Sequence, residues 1–155
     1  MASVLKPIRK KIVFLALAYG LAGSLLPAAD VAGEIAQAAA EAKAQQWEKA
    51  RDRNMRLLAT QLDGLTADQA ARCYKSLVNA CEKLEPVDVD TILKGMDALL
   101  LKPDLQNNRA LVDGSQAAIW AAWRAESRDE AAQLVDKILA YTQGEVIGRV
   151  GMYVV

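Results

Sequence analysis

Apolar and polar positions divide the chain into four parts. Residues 1–29 hold an uncharged apolar run, Ile12 to Leu26; residues 30–64 read as one long Ala-rich helix; residues 65–144 read as a bundle of shorter amphipathic helices; residues 145–155 read as an extended tail. Within the second part, Val31, Ile35, Ala38, Ala39 and Ala42 recur at intervals of three and four, and Met55, Leu58 and Leu62 resume the pattern. Asp30 is placed to cap this helix, and Glu34 sits near the positive end of its dipole. Glu48 with Arg51 and Asp52 with Arg56 have the spacing of solvated helix pairs. The first half of the helix buries little, because alanine supplies propensity and almost no apolar area. It is expected to pack tightly against another helix, between copies included, or to stand free as a linker.

Gly64 ends that helix, and Thr66-Ala67-Asp68-Gln69 is a capping box for the next. The helix over 67–84 puts Ala70, Cys73, Leu77, Cys81 and Leu84 on one stripe, and Glu85-Pro86 stops it. Asp90 is expected to cap a short helix with Ile92, Met96, Leu99 and Leu100 inward, ended by Lys102-Pro103. Asn107-Asn108 and Asp113-Gly114 mark 104–115 as a loop, with Leu105, Leu111 and Val112 able to anchor a turn of helix within it. A helix from Ser115 to Glu126 follows, with Ala118, Ile119, Ala122 and Trp123 inward. Ser127-Arg128-Asp129-Glu130 is a second capping box, opening a last helix with Ala131, Leu134, Val135, Ile138 and Tyr141 inward. Gly144 closes it, and the apolar, glycine-containing stretch beyond reads as extended. The expected fold is all-α: a bundle of about four to five helices after an N-terminal apolar helix, with an extended C-terminal tail.

Charge gives the first segment its meaning. Lys6, Arg9, Lys10 and Lys11 precede the apolar run, and the first acid in the chain is Asp30. A basic head, an apolar stretch of about 7–15 residues and small residues beyond it describe a secretory signal, and bases on the near side predict that the rest crosses to the far side. Phe14, Leu15 and Leu17 lead the apolar contact. At about 1.5 Å per residue the run spans about 22 Å, short of the roughly 30 Å of a hydrocarbon core, so its length favours a signal over a stable span. The cleavage motifs are imperfect. Ala22-Gly23-Ser24 is followed by two leucines, Pro27-Ala28-Ala29 begins with proline, and Ala36-Gln37-Ala38 lies far from the run. A retained anchor and a buried interface helix are the other two readings.

The formal charge is zero, from 19 bases and 19 acids, so the part beyond the N-terminal segment holds 15 bases against 19 acids. That balance, with no basic stripe interleaved with aromatics, argues against nucleic acid as a partner. There is no histidine, which removes the commonest general base, the commonest metal ligand and every triad that needs an imidazole. Two cysteines without histidine do not complete a structural zinc site. Cys73 and Cys81, eight apart in one helix, would lie about 12 Å apart, too far to bridge, and their stripe marks them as buried thiols. Asp88 and Asp90 have D-x-D spacing, but before a helix this reads as a cap and its neighbour. Glu126-Ser127 after Trp123 resembles the Glu-Ser pair of lytic transglycosylases; the Gly-Met-Gln run those enzymes carry downstream is absent, and the capping box accounts for Ser127 and Glu130.

The sequence therefore points to no catalytic residue, cofactor, metal or small-molecule substrate. It points to contact. Trp123, in line with Ile119, is expected in the core, whereas Trp47 and Trp120 lie off their apolar stripes and are expected to meet a partner. The tail residues Met152, Tyr153, Val154 and Val155 are the other contact candidates. The expected role is a non-enzymatic exported or membrane-anchored protein of the bacterial envelope, periplasmic or secreted, that binds a protein partner or itself, as an adaptor, inhibitor or secretion or conjugation component. The alternative is a structural subunit of a large assembly such as a virion or phage ejection protein, with its apolar N-terminal helix retained.

Overall fold

The computed structural model describes residues 28–105 and 108–142. Among them the protein is entirely helical: α1 (Ala28–Lys43), α2 (Trp47–Thr60), a 3-10 turn (Leu62–Gly64), α3 (Ala67–Glu82), α4 (Val89–Leu99), α5 (Arg109–Arg124) and α6 (Arg128–Thr142). The expected N-terminal apolar helix and extended tail lie outside the described residues. Helix α3 is the axis of the bundle, with α2, α4 and α5 packed on it, α1 on the outside of α2 and α6 on the outside of α5.

The capping box expected at Thr66 opens α3. Gln69 N–H donates to Thr66 Oγ1 at 3.2 Å, and Thr66 N–H donates to Gln69 Oε1 at 2.9 Å. Cys73, Leu77 and Cys81 are buried along it as the stripe predicts, and so is Tyr74, which the stripe omits. Tyr74 is wholly inaccessible. Its hydroxyl donates to the Ile92 carbonyl of α4 at 3.3 Å, which satisfies the one polar atom its burial would strand.

Glycines make room for that ring on both sides. A Cβ on Gly95 of α4 would stand 3.3 Å from Tyr74 Cδ2 and Cε2 and would collide with Leu77 Cδ2, while a Cβ on Gly114 of α5 would stand 3.2 Å from Tyr74 Cδ1. This close approach explains why Asp113-Gly114, a turn signal by composition, lies inside a helix. Helix α5 begins at Arg109, with Asn108 Oδ1 accepting from the N–H groups of Ala110 at 2.8 Å and Leu111 at 3.3 Å. The second half of the loop expected over 104–115 is thus helical, from Arg109 onward, while Asp104, Leu105 and Asn108 lie outside any helix. Asp88, not Asp90, caps α4, through Thr91 N–H at 3.1 Å and Thr91 Oγ1 at 2.8 Å.

The long helix expected from Asp30 to Leu62 is two helices. Gln45 adopts φ 59°, Gln46 N–H donates to Glu41 O at 2.9 Å and Gln45 N–H to Ala42 O at 3.0 Å. This is the double closure of a Schellman ending with glutamine where glycine is usual. The same closure recurs after α5, with Glu126 at φ 61°, Ser127 N–H on Ala122 O at 3.0 Å and Glu126 N–H on Trp123 O at 3.1 Å. Each joint turns the chain back in three residues.

Helix α1 returns along α2 and is fastened by charge. Arg53 Nε and Nη2 donate to the two carboxylate oxygens of Glu41 at 2.9 and 2.8 Å, and its Nη1 reaches Glu34 at 2.5 Å, where Arg56 also binds. Glu41 is only 5% exposed. The Arg53 hydrogen bond lowers its pKa against the opposing effect of burial. For Glu34 burial pushes up, and the hydrogen bonds from Arg53 and Arg56 more than offset it, so its pKa is lowered too.

Two outcomes follow for stability. Gly95→Ala gains about 1 kcal/mol in helix propensity but forces a methyl into the packed Leu77–Tyr74 contact at about 1–3 kcal/mol. Its melting temperature by circular dichroism is expected to fall, and a rise would show that Leu77 yields freely. Because Glu34 and Glu41 titrate below the ordinary value of 4.5 when folded, their contribution is complete above that value and is lost as pH falls through the lower, folded-state values. Urea unfolding is expected to weaken steeply below about pH 4.5, and Arg53→Gln, costing about 3–5 kcal/mol near neutrality by stranding Glu41, is expected to flatten that dependence; equal slopes in both proteins would refute the clasp.

Candidate functional site

The inward face of α5 consists of Leu111, Gly114, Ser115, Ala118, Ala121 and Ala122. All but Leu111 are small, because the Tyr74 contact brings α5 close to α3. The large residues are displaced outward: Trp120 is 40% exposed and Trp123 51%. The core position expected for Trp123 is therefore wrong. Alignment with Ile119 marked the wider, partly buried flank of the helix, whereas the buried flank is the small one. The exposure expected for Trp120 agrees with what is found.

The two rings share one turn of α5, and the joint to α6 folds Arg128 over one of them, its guanidinium carbon 5.4 Å from the Trp123 ring centroid. Such a cation–π contact is worth about 0.5–1 kcal/mol at an exposed site. Beside it Arg124 pairs with Glu82 at the end of α3. The result is a surface with two indole rings, one with a cation over its face, at the end of the bundle where α3 and α5 finish. Trp47, the first residue of α2, is half-buried. Lys6, Arg9, Lys10, Lys11, Phe14, Leu15, Leu17, Met152, Tyr153, Val154 and Val155 lie outside the described residues.

On the other side of the α6 start is a groove of about 550 Å³. Its charged lining is Glu48 and Arg51 from α2, Glu85, Asp88 and Asp90 from the α3–α4 connection and first turn of α4, and Glu130 from α6. Leu84, Val87 and the buried Val89 supply apolar wall between them. Arg51 donates to Asp88 at 3.0 Å and to Asp52 at 2.8 Å, so Asp88 serves the α4 cap and an ion pair at once. Five lining carboxylates against one guanidinium leave the groove negative. Among the described residues no group of three or more Cys, Asp or Glu is placed to hold a metal ion. No single stretch of sequence announces the groove, because its acids arrive from three separate segments.

No family model, curated protein or solved structure matches this chain.

The remaining candidate chemistry is structural. Cys73 and Cys81 are buried free thiols, and burial raises their pKa to about 11 and about 12, which keeps them protonated and poorly nucleophilic. Burial likewise pushes the Tyr74 phenol well above its usual range. Glu126, the residue of the Glu-Ser pair, is exposed and occupies the left-handed position that closes α5. Among the described residues no helix is long and apolar enough to cross a membrane.

Proposed function

We propose that this is a non-enzymatic helical protein that acts by docking to a protein partner through the end of α5, and that residues 1–29 deliver it to or across a membrane of the bacterial envelope. The observation that carries the docking is the pair Trp120 and Trp123. Two large apolar rings stand side by side in solvent, and tryptophan with arginine is the composition of binding hot spots. Arg128 lies over the Trp123 ring and biases its orientation by about 0.5–1 kcal/mol, which lowers the ordering cost of contact by a similar amount. A bundle whose glycines and buried Tyr74 fix α5 against α3 presents these rings on a rigid element. Delivery rests on the basic head and apolar run of the N-terminal segment. The lack of histidine and the structural employment of Asp88, Cys73, Cys81 and Glu126 support a role without catalysis.

A second reading, a structural subunit that retains its N-terminal segment inside a large assembly, draws on the outward face of α1. Of its exposed positions, Ala32, Gly33, Ala36, Ala39 and Ala40 are small and only Asp30, Gln37 and Lys43 are polar, fewer than a solvated helix ordinarily carries.

The docking reading is tested in native cells with a photo-crosslinking residue at position 120, and at Ala59, exposed at the far end of α2, as control. A discrete adduct is expected from position 120 and none from 59. Trp123→Ala, which removes an exposed side chain and is expected to change stability by no more than about 1 kcal/mol, is expected to abolish the adduct. Equal labelling from both positions, or an adduct indifferent to Trp123→Ala, refutes it. The intact mass of the same sample reports whether residues 1–29 are retained, as the assembly reading requires.

A further inference from the structure

The joint between α1 and α2 is held by tertiary contact rather than by its own residues. Ala44, Gln45 and Gln46 occupy it, and alanine and glutamine rank among the better helix formers. Gln45 nonetheless stands at φ 59°, a left-handed position in which a Cβ crowds the backbone and which glycine ordinarily fills. Gln46 precedes α2 without a side-chain hydrogen bond to its first turn. At the α5–α6 joint, by contrast, Ser127 places a preferred capping residue directly before Arg128. What folds α1 back is its seat on α2, where Val31, Ala38 and Glu41 are buried and Arg53 grips Glu41 and Glu34.

We propose that α1 exchanges between two copies of this chain: the joint straightens, 28–60 becomes one helix, and α1 of each copy takes the seat on α2 of the other. The contacts that fasten α1 lie beyond the joint, so a second copy offers the same seat. Arg53 and Arg56 of one copy then hold Glu41 and Glu34 of the other. Val31, whose Cγ2 stands 3.8 Å from where a Cβ on Gly64 would be, keeps that neighbour across the dimer. The exchange conserves what α1 buries and relieves the left-handed glutamine in each chain, which is what makes swapping of an identical element a low-cost route to a dimer. Ala44, Gln45 and Gln46 are exposed, so straightening them uncovers no core. Helix α1 is suited to leaving, because it rests mainly on α2 and its fully buried apolar side chains are Val31 and Ala38. The loss of independent motion when two chains join opposes the exchange, so the swapped form grows with concentration.

The exchange uses neither Trp120 nor residues 1–29, so it stands or falls separately from the docking reading. The partner it assigns to α1 is a second copy, and the resulting dimer presents the end of α5 twice.

The test refolds the full chain from urea over a range of protein concentrations and reads its mass by sedimentation, with Gln45 replaced by alanine, which favours the straight joint, or by glycine, which favours the left-handed one. Gln45 is exposed, so both variants keep the fold and their comparison stands by itself. The dimer dissociation constant of Gln45→Ala is expected to be lower than that of Gln45→Gly by on the order of a hundredfold, because each dimer straightens two joints. Exchange of α1 itself is read by refolding Glu41→Arg and Arg53→Glu together. Each variant alone sets like charges against each other in the clasp, closed or swapped, whereas a swapped pair of the two restores opposite charges at both seats. Native mass spectrometry of the mixture is expected to show the heterodimer well above its statistical share. A dimer equally stable in Gln45→Ala and Gln45→Gly, as contact through any other surface would give, overturns the proposal. So does a Gln45→Ala chain that stays monomeric at every concentration, or a mixture in which the heterodimer only reaches the share random pairing gives.

Discussion

The packing of Tyr74 between two glycines decides most of this structure. The ring lies wholly inside α3's contact surface, meeting α4 at Gly95 on one edge and α5 at Gly114 on the other. Its hydroxyl ends on the Ile92 carbonyl, so no buried polar group is stranded. Side chains at either glycine would push α4 or α5 outward, and the interior tolerates such displacement poorly because it is packed to near-crystalline density. The close approach has a further effect on α5: only small residues fit beyond Gly114, so Ser115, Ala118, Ala121 and Ala122 fill the inside. Trp120 and Trp123 are outside for that reason. The surface assigned to partner contact is thus a consequence of how the core is closed.

Helix α1 is held by different forces. Few of its side chains have apolar area to contribute, and Val31 and Ala38 are its fully buried ones. The bidentate Arg53–Glu41 pair, shared with Glu34 and Arg56, fixes its register on α2. A pair of this kind confers geometry more than net stability, since much of its Coulomb energy offsets desolvation. This makes α1 the element most sensitive to protonation. Its far side is solvent-exposed at Ala32, Gly33, Ala36, Gln37, Ala39, Ala40 and Lys43.

Much of the architecture is legible in the sequence, and the misreadings have physical causes. Thr66 and Gln69 announce α3 because a capping box is local chemistry. The alternation of apolar residues locates α3, α4 and α6. The break at Gln45 is invisible because the left-handed position after α1 is filled by glutamine, and Glu126 hides the matching position after α5. Asp113-Gly114 reads as a turn because composition does not reveal that Tyr74 requires a glycine there. Trp123 reads as core because it lines up with Ile119, which lies on the partly buried flank of α5, whereas the buried flank is the one with the smallest residues. Leu84, expected as the last member of the α3 stripe, lies past the helix end on the wall of the groove. The groove itself has no sequence signature, since Glu48, Asp88 and Glu130 are far apart along the chain.

The two surfaces of interest meet at the joint between α5 and α6. Arg128 leans from the first turn of α6 onto Trp123, while Ser127 and Glu130, on either side of it, line the acidic groove. Glu126 holds this joint in a left-handed conformation that an ordinary residue adopts at some cost, and the closures from Ser127 N–H to Ala122 O and from Glu126 N–H to Trp123 O set where the first turn of α6 starts relative to the end of α5, so one joint places both surfaces.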